Sequence, residues 1–151
     1  MKWGKKKKGP KSLIEVLPDK KEPVAYPAID YLTLKPAWRV SLLEMVDPYG
    51  WHSIDTADIS QIRTRLASFE SMTWKEILVQ GSYRNHSISV TRLCATAQKR
   101  LGEIKQDDVD SLISLGITQK GRVFGILDYN VLRVLWWDPD HLVCPIQKPN
   151  T

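Results

Sequence analysis

The feature that most constrains the fold is a pair of apolar runs near the end of the chain. Val123–Leu127 and Val131–Trp137 are rich in β-branched and aromatic residues, and only Asp128-Tyr129-Asn130 separates them. Two such runs around a short polar break predict a β-hairpin. The second run stops abruptly at Asp138-Pro139-Asp140-His141, which is typical either of a strand end or of the edge of a site.

The chain before the hairpin supplies the elements that such a sheet needs. Alternation over Trp38–Val46 and Asp110–Ile117 predicts two further strands. Apolar stripes and a capping box predict three helices between them, at Ala57–Phe69, Trp74–Val79 and Ser89–Ile104. The order indicates an α+β fold: one N-terminal strand, three helices on one face of the sheet, then a three-stranded antiparallel meander.

Charge divides the chain into an arm and a body. Residues 1–22 carry eight lysines against three acidic residues, whereas the remaining residues balance at 14 basic and 14 acidic. We therefore predict a basic, proline-containing flexible arm at 1–35, a globular domain at 36–146 and a tail at 147–151. A basic arm is typical of an electrostatic tether for nucleic acid, with Lys5, Lys6, Lys7 and Lys8 as candidate contacts. The alternative is a terminus that only improves solubility.

Several functional classes lack support in the sequence. The longest apolar run is shorter than the ~18 residues of a membrane helix, so we expect no membrane partner. Cys94 and Cys144 have neither CxxC spacing nor a histidine cluster, which predicts reduced thiols in a cytoplasmic protein and no metal site. Without a glycine-rich phosphate loop, a serine nucleophile elbow or an HExxH motif, we expect no cofactor and no nucleotide hydrolysis, acyl transfer or zinc proteolysis.

The Asp-Pro-Asp-His ending is the first candidate site. An imidazole titrates near neutral pH, so His141 beside carboxylates is a candidate general acid or base. The alternative is a turn in which Asp138 accepts backbone N–H groups and His141 is a half-exposed surface side chain.

Basic and aromatic residues near the strands are the second candidate set. The possible phosphate contacts in the body are Arg84, His86, Lys99, Arg100, Lys120, Arg122 and Arg133. Trp136 and Trp137 lie on opposite faces of a strand, so one packs on the helices and the other, taken as Trp136, is placed to stack a base. The alternatives are ordinary protection of sheet edges by the basic residues and burial of the second indole beneath the N-terminal arm.

The stretch Arg122–Pro145 resembles a C-terminal signature, R-[VI]-[WF]-G…LWWDP-x-H-x-V-[CY]-P, of small bacterial and phage proteins that are largely uncharacterised. Ala97–Leu101 matches an A-Q-K-R-L segment that precedes this signature in that group. With the preceding helices, the resemblance covers roughly Trp38–Pro145. More remotely, the order of elements resembles the RelE/ParE-like toxin superfamily.

The toxin-like resemblance implies a role in a toxin–antitoxin or defence system. It implies metal-independent cleavage of RNA, ribosome-associated in the RelE-like branch, and a protein antitoxin as a further partner. Carried onto this sequence, it makes Arg122 a phosphate clamp, His141 the acid or base, and Lys99 and Arg100 supporting cations. The long arm, the neutral body and Asp138 with Asp140 beside the imidazole depart from that pattern. The competing hypothesis is a non-catalytic module of the same fold that binds nucleic acid or protein, with His141 structural.

Overall fold

A computed structural model describes residues 30–80 and 84–145, which form an α+β fold around a five-stranded mixed sheet. The strands are β1 (Ala37–Arg39), β2 (His86–Ser89), β3 (Ser111–Gly116), β4 (Arg122–Asp128) and β5 (Val131–Asp138). The helices are α1 (Thr56–Phe69), α2 (Trp74–Leu78) and α3 (Ala95–Glu103). Most of the predicted arm, including Lys5 to Lys8, and the predicted tail lie outside the described residues.

The sheet contains the predicted meander and extends it on both sides. Its strand order is β1-β5-β4-β3-β2, with β1 parallel to β5 and every other pair antiparallel. Phe124 pairs with Trp136 and Gly125 with Val134, so Leu135 is an extra residue on β5. This bulge lets the consecutive residues Leu135 and Trp136 both enter the same core cluster.

The sheet is covered on both faces, and the prediction of helices on one face is wrong. Ile62 of α1 and Trp74 of α2 pack with Trp137 on one face. Leu101 of α3 packs with Trp136 on the other face. Every β5 residue from Val134 to Asp138 is buried, because the strand is covered on both faces. Such a strand has a continuous apolar sequence, without the alternation of apolar and polar residues that indicates one solvent-exposed face. The sequence therefore did not show that both faces are covered.

The first strand is much shorter than the predicted Trp38–Val46. It pairs with β5 only over Ala37–Arg39, after which the chain turns with the Leu43 N–H donating to the Val40 carbonyl. Glu44 N–H then donates to Leu135 O, and Trp137 N–H donates to Tyr49 O. The backbone N–H and C=O groups along this edge of β5 thus bond first to a short strand and then to an irregular loop. The alternation of apolar and polar residues is the same for this arrangement as for one long strand, so the sequence did not distinguish them.

Strand β2 was not predicted, and its presence moves the start of the third helix. Only Ile88 of His86–Ser89 is buried, so an edge strand with a single inward apolar residue reads as a polar loop. A 3₁₀ turn at Val90–Arg92 follows, and α3 begins at Ala95 rather than at Ser89. The order is therefore β–α–α–β–α–β–β–β.

The local signals for the other elements are confirmed. Asp55 caps α1 by accepting from Asp58 N–H, and Thr73 with Glu76 forms the capping box of α2. Within the described residues, no helix has the length and apolar character that a membrane span requires.

Candidate functional site

A cleft of about 850 Å³ opens on the face of the sheet that carries α3. It collects side chains from β2, β3 and β4, from the 3₁₀ turn before α3 and from the segment after β5. Its lining residues are Arg84, His86, Ile88, Thr91, Arg92, Cys94, Ser114, Arg122, Phe124, His141, Cys144 and Pro145. Three arginines and two histidines are thus present, and none of these described lining residues is acidic.

The floor of the cleft follows from strand register. His86 pairs with Ser114, and Ser114 pairs with Phe124, so these three side chains lie in one row across β2, β3 and β4. Arg122 is two residues before Phe124 and therefore points to the same face. Neighbouring antiparallel strands thereby assemble a histidine and an arginine that are 36 positions apart in sequence.

Arg122 is held by the backbone of the β3–β4 turn. Its side chain is largely buried, at 9% exposure, and its Nη1 donates to the carbonyls of Thr118, Gln119 and Gly121 at 3.2, 3.2 and 3.0 Å. These three carbonyl oxygens fix the direction of the guanidinium. The turn thus fixes the position of a positive charge in the wall of the cleft.

Two further guanidiniums converge on the same turn. Arg84 Nη2 donates to the Thr118 carbonyl, and the Arg84 side chain lies directly over Gly116, where an added Cβ would stand 2.9 Å from Arg84 Cβ. Arg65 of α1 donates to the Gly116 carbonyl from Nε and Nη2 at 3.3 and 3.2 Å. Burial, and secondarily the charge of Arg84, lowers the pKa of Arg65.

The histidine of β2 responds to this positive environment. Partial desolvation lowers the pKa of His86, although the residue is exposed by its surface area, and the positive charges of Arg122 and Arg92 lower it further. Because a lowered imidazole pKa favours the uncharged form, His86 at neutral pH has a nitrogen lone pair available to accept a proton or a hydrogen bond.

The second histidine is presented by the turn that follows β5. The Asp138 side chain is 1% exposed and accepts N–H groups from Leu142 and Val143 at 3.0 and 2.9 Å. His141 has φ of 60°, a left-handed conformation that is uncommon outside glycine, and it lines the cleft half-buried. Asp138 therefore accepts backbone N–H groups, as the structural interpretation of this segment predicted, and His141 lines the cleft as well.

Burial raises the pKa of the Asp138 carboxyl, while the two backbone N–H groups and His141 oppose that rise. Asp138 does not line the cleft. Its carboxylate stabilises the turn that carries His141 and is not exposed to the cleft.

Two predicted contacts belong to a structural network in the core, which corrects their assignment to nucleic-acid binding. Trp136 is fully buried beside Tyr49 and Phe124, so its indole cannot stack a base. The prediction that Trp136 lies on an open face of the sheet is wrong. Its Nε1 donates to Glu44 at 3.2 Å. Arg100 donates to the same carboxylate from Nε and Nη2 at 2.7 and 2.9 Å, and hydrogen bonds to Glu44 and then to Glu103 raise the Arg100 pKa.

The remaining predicted contacts do not line the cleft. Lys99 and Lys120 are exposed elsewhere, and Arg133 lies at the opposite end of β5, paired in register with Arg39. Of the predicted body residues, the cleft brings together Arg84, His86, Arg122 and His141.

Sequence reasoning missed Arg92 and Ser114 as lining residues. Arg92 falls within the predicted helix Ser89–Ile104, whereas the structure places it in a 3₁₀ turn that faces the cleft. Ser114 is a buried polar residue in the otherwise apolar strand β3. A polar residue within an apolar run was the one sequence signal that could have indicated a site there. Cys94 and Cys144 were interpreted as ordinary free thiols, and both line the cleft as well.

Searches against protein-family models, curated proteins and solved structures found no match. Within residues 30–80 and 84–145, no three His, Cys, Asp or Glu side chains are grouped so as to hold a metal ion. The cleft presents arginine cations, two imidazoles, hydroxyl groups and thiols to a ligand.

Proposed function

We propose that the cleft binds the phosphate backbone of single-stranded RNA and cleaves it by metal-independent transfer to the 2′-hydroxyl. The observation that carries this proposal is the meeting of two histidines and three arginines in one cleft, with no acidic residue among its described lining. Such a lining favours an anion, and nucleic acid is the anion that also fits a basic N-terminal segment.

The proposed reaction uses the two imidazoles in different protonation states. Neutral His86 accepts the proton of the 2′-hydroxyl as that oxygen attacks the phosphorus. His141, in its protonated form, gives a proton to the departing 5′-oxygen. The products are a 2′,3′-cyclic phosphate and a 5′-hydroxyl end, and the positive charges of Arg122 and Arg92 stabilise the charge that develops on the phosphoryl oxygens.

The size of the cleft favours a single strand. A volume of about 850 Å³ lies in the range of pockets that enclose drug-sized molecules, which is enough for one or two nucleotides of a single strand. The floor residues Ile88 and Phe124 give the cleft an apolar surface beside its cations.

A direct test compares histidine variants on a short RNA in the presence of a metal chelator. His86→Ala and His141→Ala are each expected to lower the cleavage rate by about 10²- to 10⁴-fold, the usual contribution of a general acid or base. The matched control is His52→Ala, because His52 is the one remaining histidine of the sequence and lies outside the cleft. Its Nε2 lies 3.4 Å from the exposed Asp47 carboxylate. Equal activity in all three variants would overturn the catalytic assignment.

The alternative is a non-catalytic phosphate-binding module. It is favoured by the Arg122 contacts, since Nη1 is already fixed to three carbonyls, and by Asp138, which orients the turn rather than the imidazole ring. This alternative predicts equal binding of RNA and of its 2′-deoxy counterpart, with RNA left intact by wild-type protein and by every histidine variant.

A toxin-like role in a toxin–antitoxin or defence system is a further part of the proposal, and it rests on the sequence resemblance. It predicts that expression of the wild-type chain arrests bacterial growth and that His141→Ala relieves the arrest. Arrest by wild type and His141→Ala alike, at equal protein levels, would contradict it.

A further inference from the structure

The two cysteines of the chain line the cleft from two neighbouring segments, the start of α3 and the stretch after the turn that follows β5. Both are free and half-buried, and both line the cleft, although they are 50 positions apart in sequence. The N–H of Cys94 donates to the Val143 carbonyl at 2.8 Å, so Cys94 is bonded to the peptide that links Val143 to Cys144.

One of the two sulfur contacts also joins the two segments. Cys144 Sγ lies 3.5 Å from the carbonyl oxygen of Arg92, two residues before Cys94, and Cys94 Sγ lies 3.3 Å from Tyr49 Oη. A disulfide spans α-carbons roughly 4.4–6.8 Å apart, so two residues on segments joined by a backbone hydrogen bond are candidates for a bridge. We expect a bridge to need rotation of both side chains, because the Cys94 sulfur lies against Tyr49 and the Cys144 sulfur against Arg92.

We infer that Cys94 and Cys144 form a reversible disulfide that regulates access of ligands to the cleft. Cys94 caps the start of α3, and Cys144 follows the turn that presents His141. The bridge joins these two walls covalently, so that Arg92 and His141 lose the freedom to adjust around a bound phosphate. The regulatory effect rests on the proposed function, whereas formation of the disulfide does not.

The oxidation is balanced with a peroxide as the oxidant. One thiolate attacks a peroxide oxygen, the O–O bond breaks, and a sulfenic acid forms with release of water. The second thiolate attacks the sulfenic sulfur, the S–S bond forms and a second water leaves. Two thiols are thus oxidised, one hydrogen peroxide is reduced, and an added dithiol reverses the bridge by exchange.

The first measurement is the intact mass and thiol content of the full chain after treatment with hydrogen peroxide. The expected product is a monomer that has lost two hydrogen atoms and both free thiols, and that regains both with dithiothreitol. Cys94→Ser and Cys144→Ser each remove one partner and are expected to give no intramolecular bridge. Persistence of both thiols, a disulfide-linked dimer, or addition of oxygen atoms without a bridge would overturn the inference.

The second measurement compares the binding of a labelled single-stranded RNA by reduced and oxidised wild-type protein, with a 2′-O-methyl group at each position to prevent cleavage. Oxidation is expected to weaken binding by about fivefold or more, the usual lower range of regulatory coupling, and the serine variants are expected not to respond to peroxide. A bridge that forms without changing affinity would overturn the regulatory role.

If the bridge forms but neither state binds the oligonucleotide, the proposed function fails and the disulfide stands. If binding occurs and no bridge forms, only this inference fails.

Discussion

At the scale of single residues, Asp138 and Asp140 show how position alone gives two identical residues different roles. Asp138 and Asp140 are two positions apart, yet only the first is buried and bonded to backbone N–H groups. The sequence predicted both possible roles of the Asp-Pro-Asp-His segment but could not choose between them. The choice depends on which carboxylate the turn encloses, and that depends on Val143 being anchored in the core.

Asp138 is expected to make stability depend on pH. Burial raises its native pKa above the unfolded value, so the carboxyl contributes most stability below the unfolded pKa and loses that contribution as pH rises through the native pKa. The Asp138→Asn variant lacks this titration. Wild type should therefore exceed Asp138→Asn in free energy of unfolding by more at about pH 4 than at about pH 7, which urea denaturation at both values measures. Asp108→Asn, which is exposed and does not contribute to the Asp138 pKa, is the control. A gap that widens with rising pH would refute the account.

His86 is expected to titrate below the ordinary imidazole range. Arg92 contributes to the lowered pKa and is exposed, so Arg92→Gln removes a positive charge without opening the core. An NMR titration should give a lower pKa for His86 in wild type than in Arg92→Gln. Arg63→Gln, exposed on α1, should leave the His86 titration where it is in wild type. A His86 pKa that is unchanged or lower in Arg92→Gln would be inconsistent with an electrostatic cause.

At the scale of elements, strong local signals were predicted well and weakly patterned segments were not. The hairpin of β4 and β5 matches its predicted bounds to within a residue, because two long apolar runs around a three-residue break admit few other structures. The edge strand β2 escaped prediction because Ile88 is its only buried residue. Since β2 supplies His86, missing the strand concealed that this histidine faces Ser114 and the cleft.

Strand β3 carries a glycine that makes room for a cleft arginine. Gly116→Ala would place a Cβ 2.9 Å from Arg84 Cβ and 3.0 Å from Arg84 Nε, so we expect displacement of Arg84 and a loss of about 1–3 kcal/mol in free energy of unfolding. Gly102→Ala in α3 meets nothing closer than 3.9 Å and should instead gain about 0.5–1 kcal/mol. Thermal or urea denaturation distinguishes these opposite signs, and stabilisation by Gly116→Ala would show that Arg84 does not need this space.

At the scale of the whole molecule, the distribution of charge matters more than its sum. The full chain carries a net charge of +5, which the sequence of residues 1–22 accounts for by itself. The balanced body concealed a cationic cleft, because acidic residues such as Glu44 and Asp138 serve hydrogen bonds elsewhere. A composition analysis has no means of making this separation, since it depends on which face each strand residue occupies.

The N-terminal lysines are expected to contribute only the salt-sensitive part of nucleic-acid affinity. Deletion of residues 1–11 should reduce the slope of log affinity against log salt concentration, because fewer counterions are released on binding. A chain of the same length with Lys5, Lys6, Lys7 and Lys8 replaced by Gln separates charge from length. Binding measured by fluorescence anisotropy over a salt series tests this, and an unchanged slope would make the lysines irrelevant to binding.

The central claim is that the His86–His141 cleft holds a phosphate backbone. The chain has three histidines, so their imidazole proton resonances can be assigned individually by single substitutions. The decisive measurement is an NMR titration of the full chain with a short single-stranded oligodeoxynucleotide, which has no 2′-hydroxyl and cannot be cleaved. We predict saturable shifts of the His86 and His141 resonances with no shift of His52; shifts of His52 alone, or no shift of any histidine, would contradict the account.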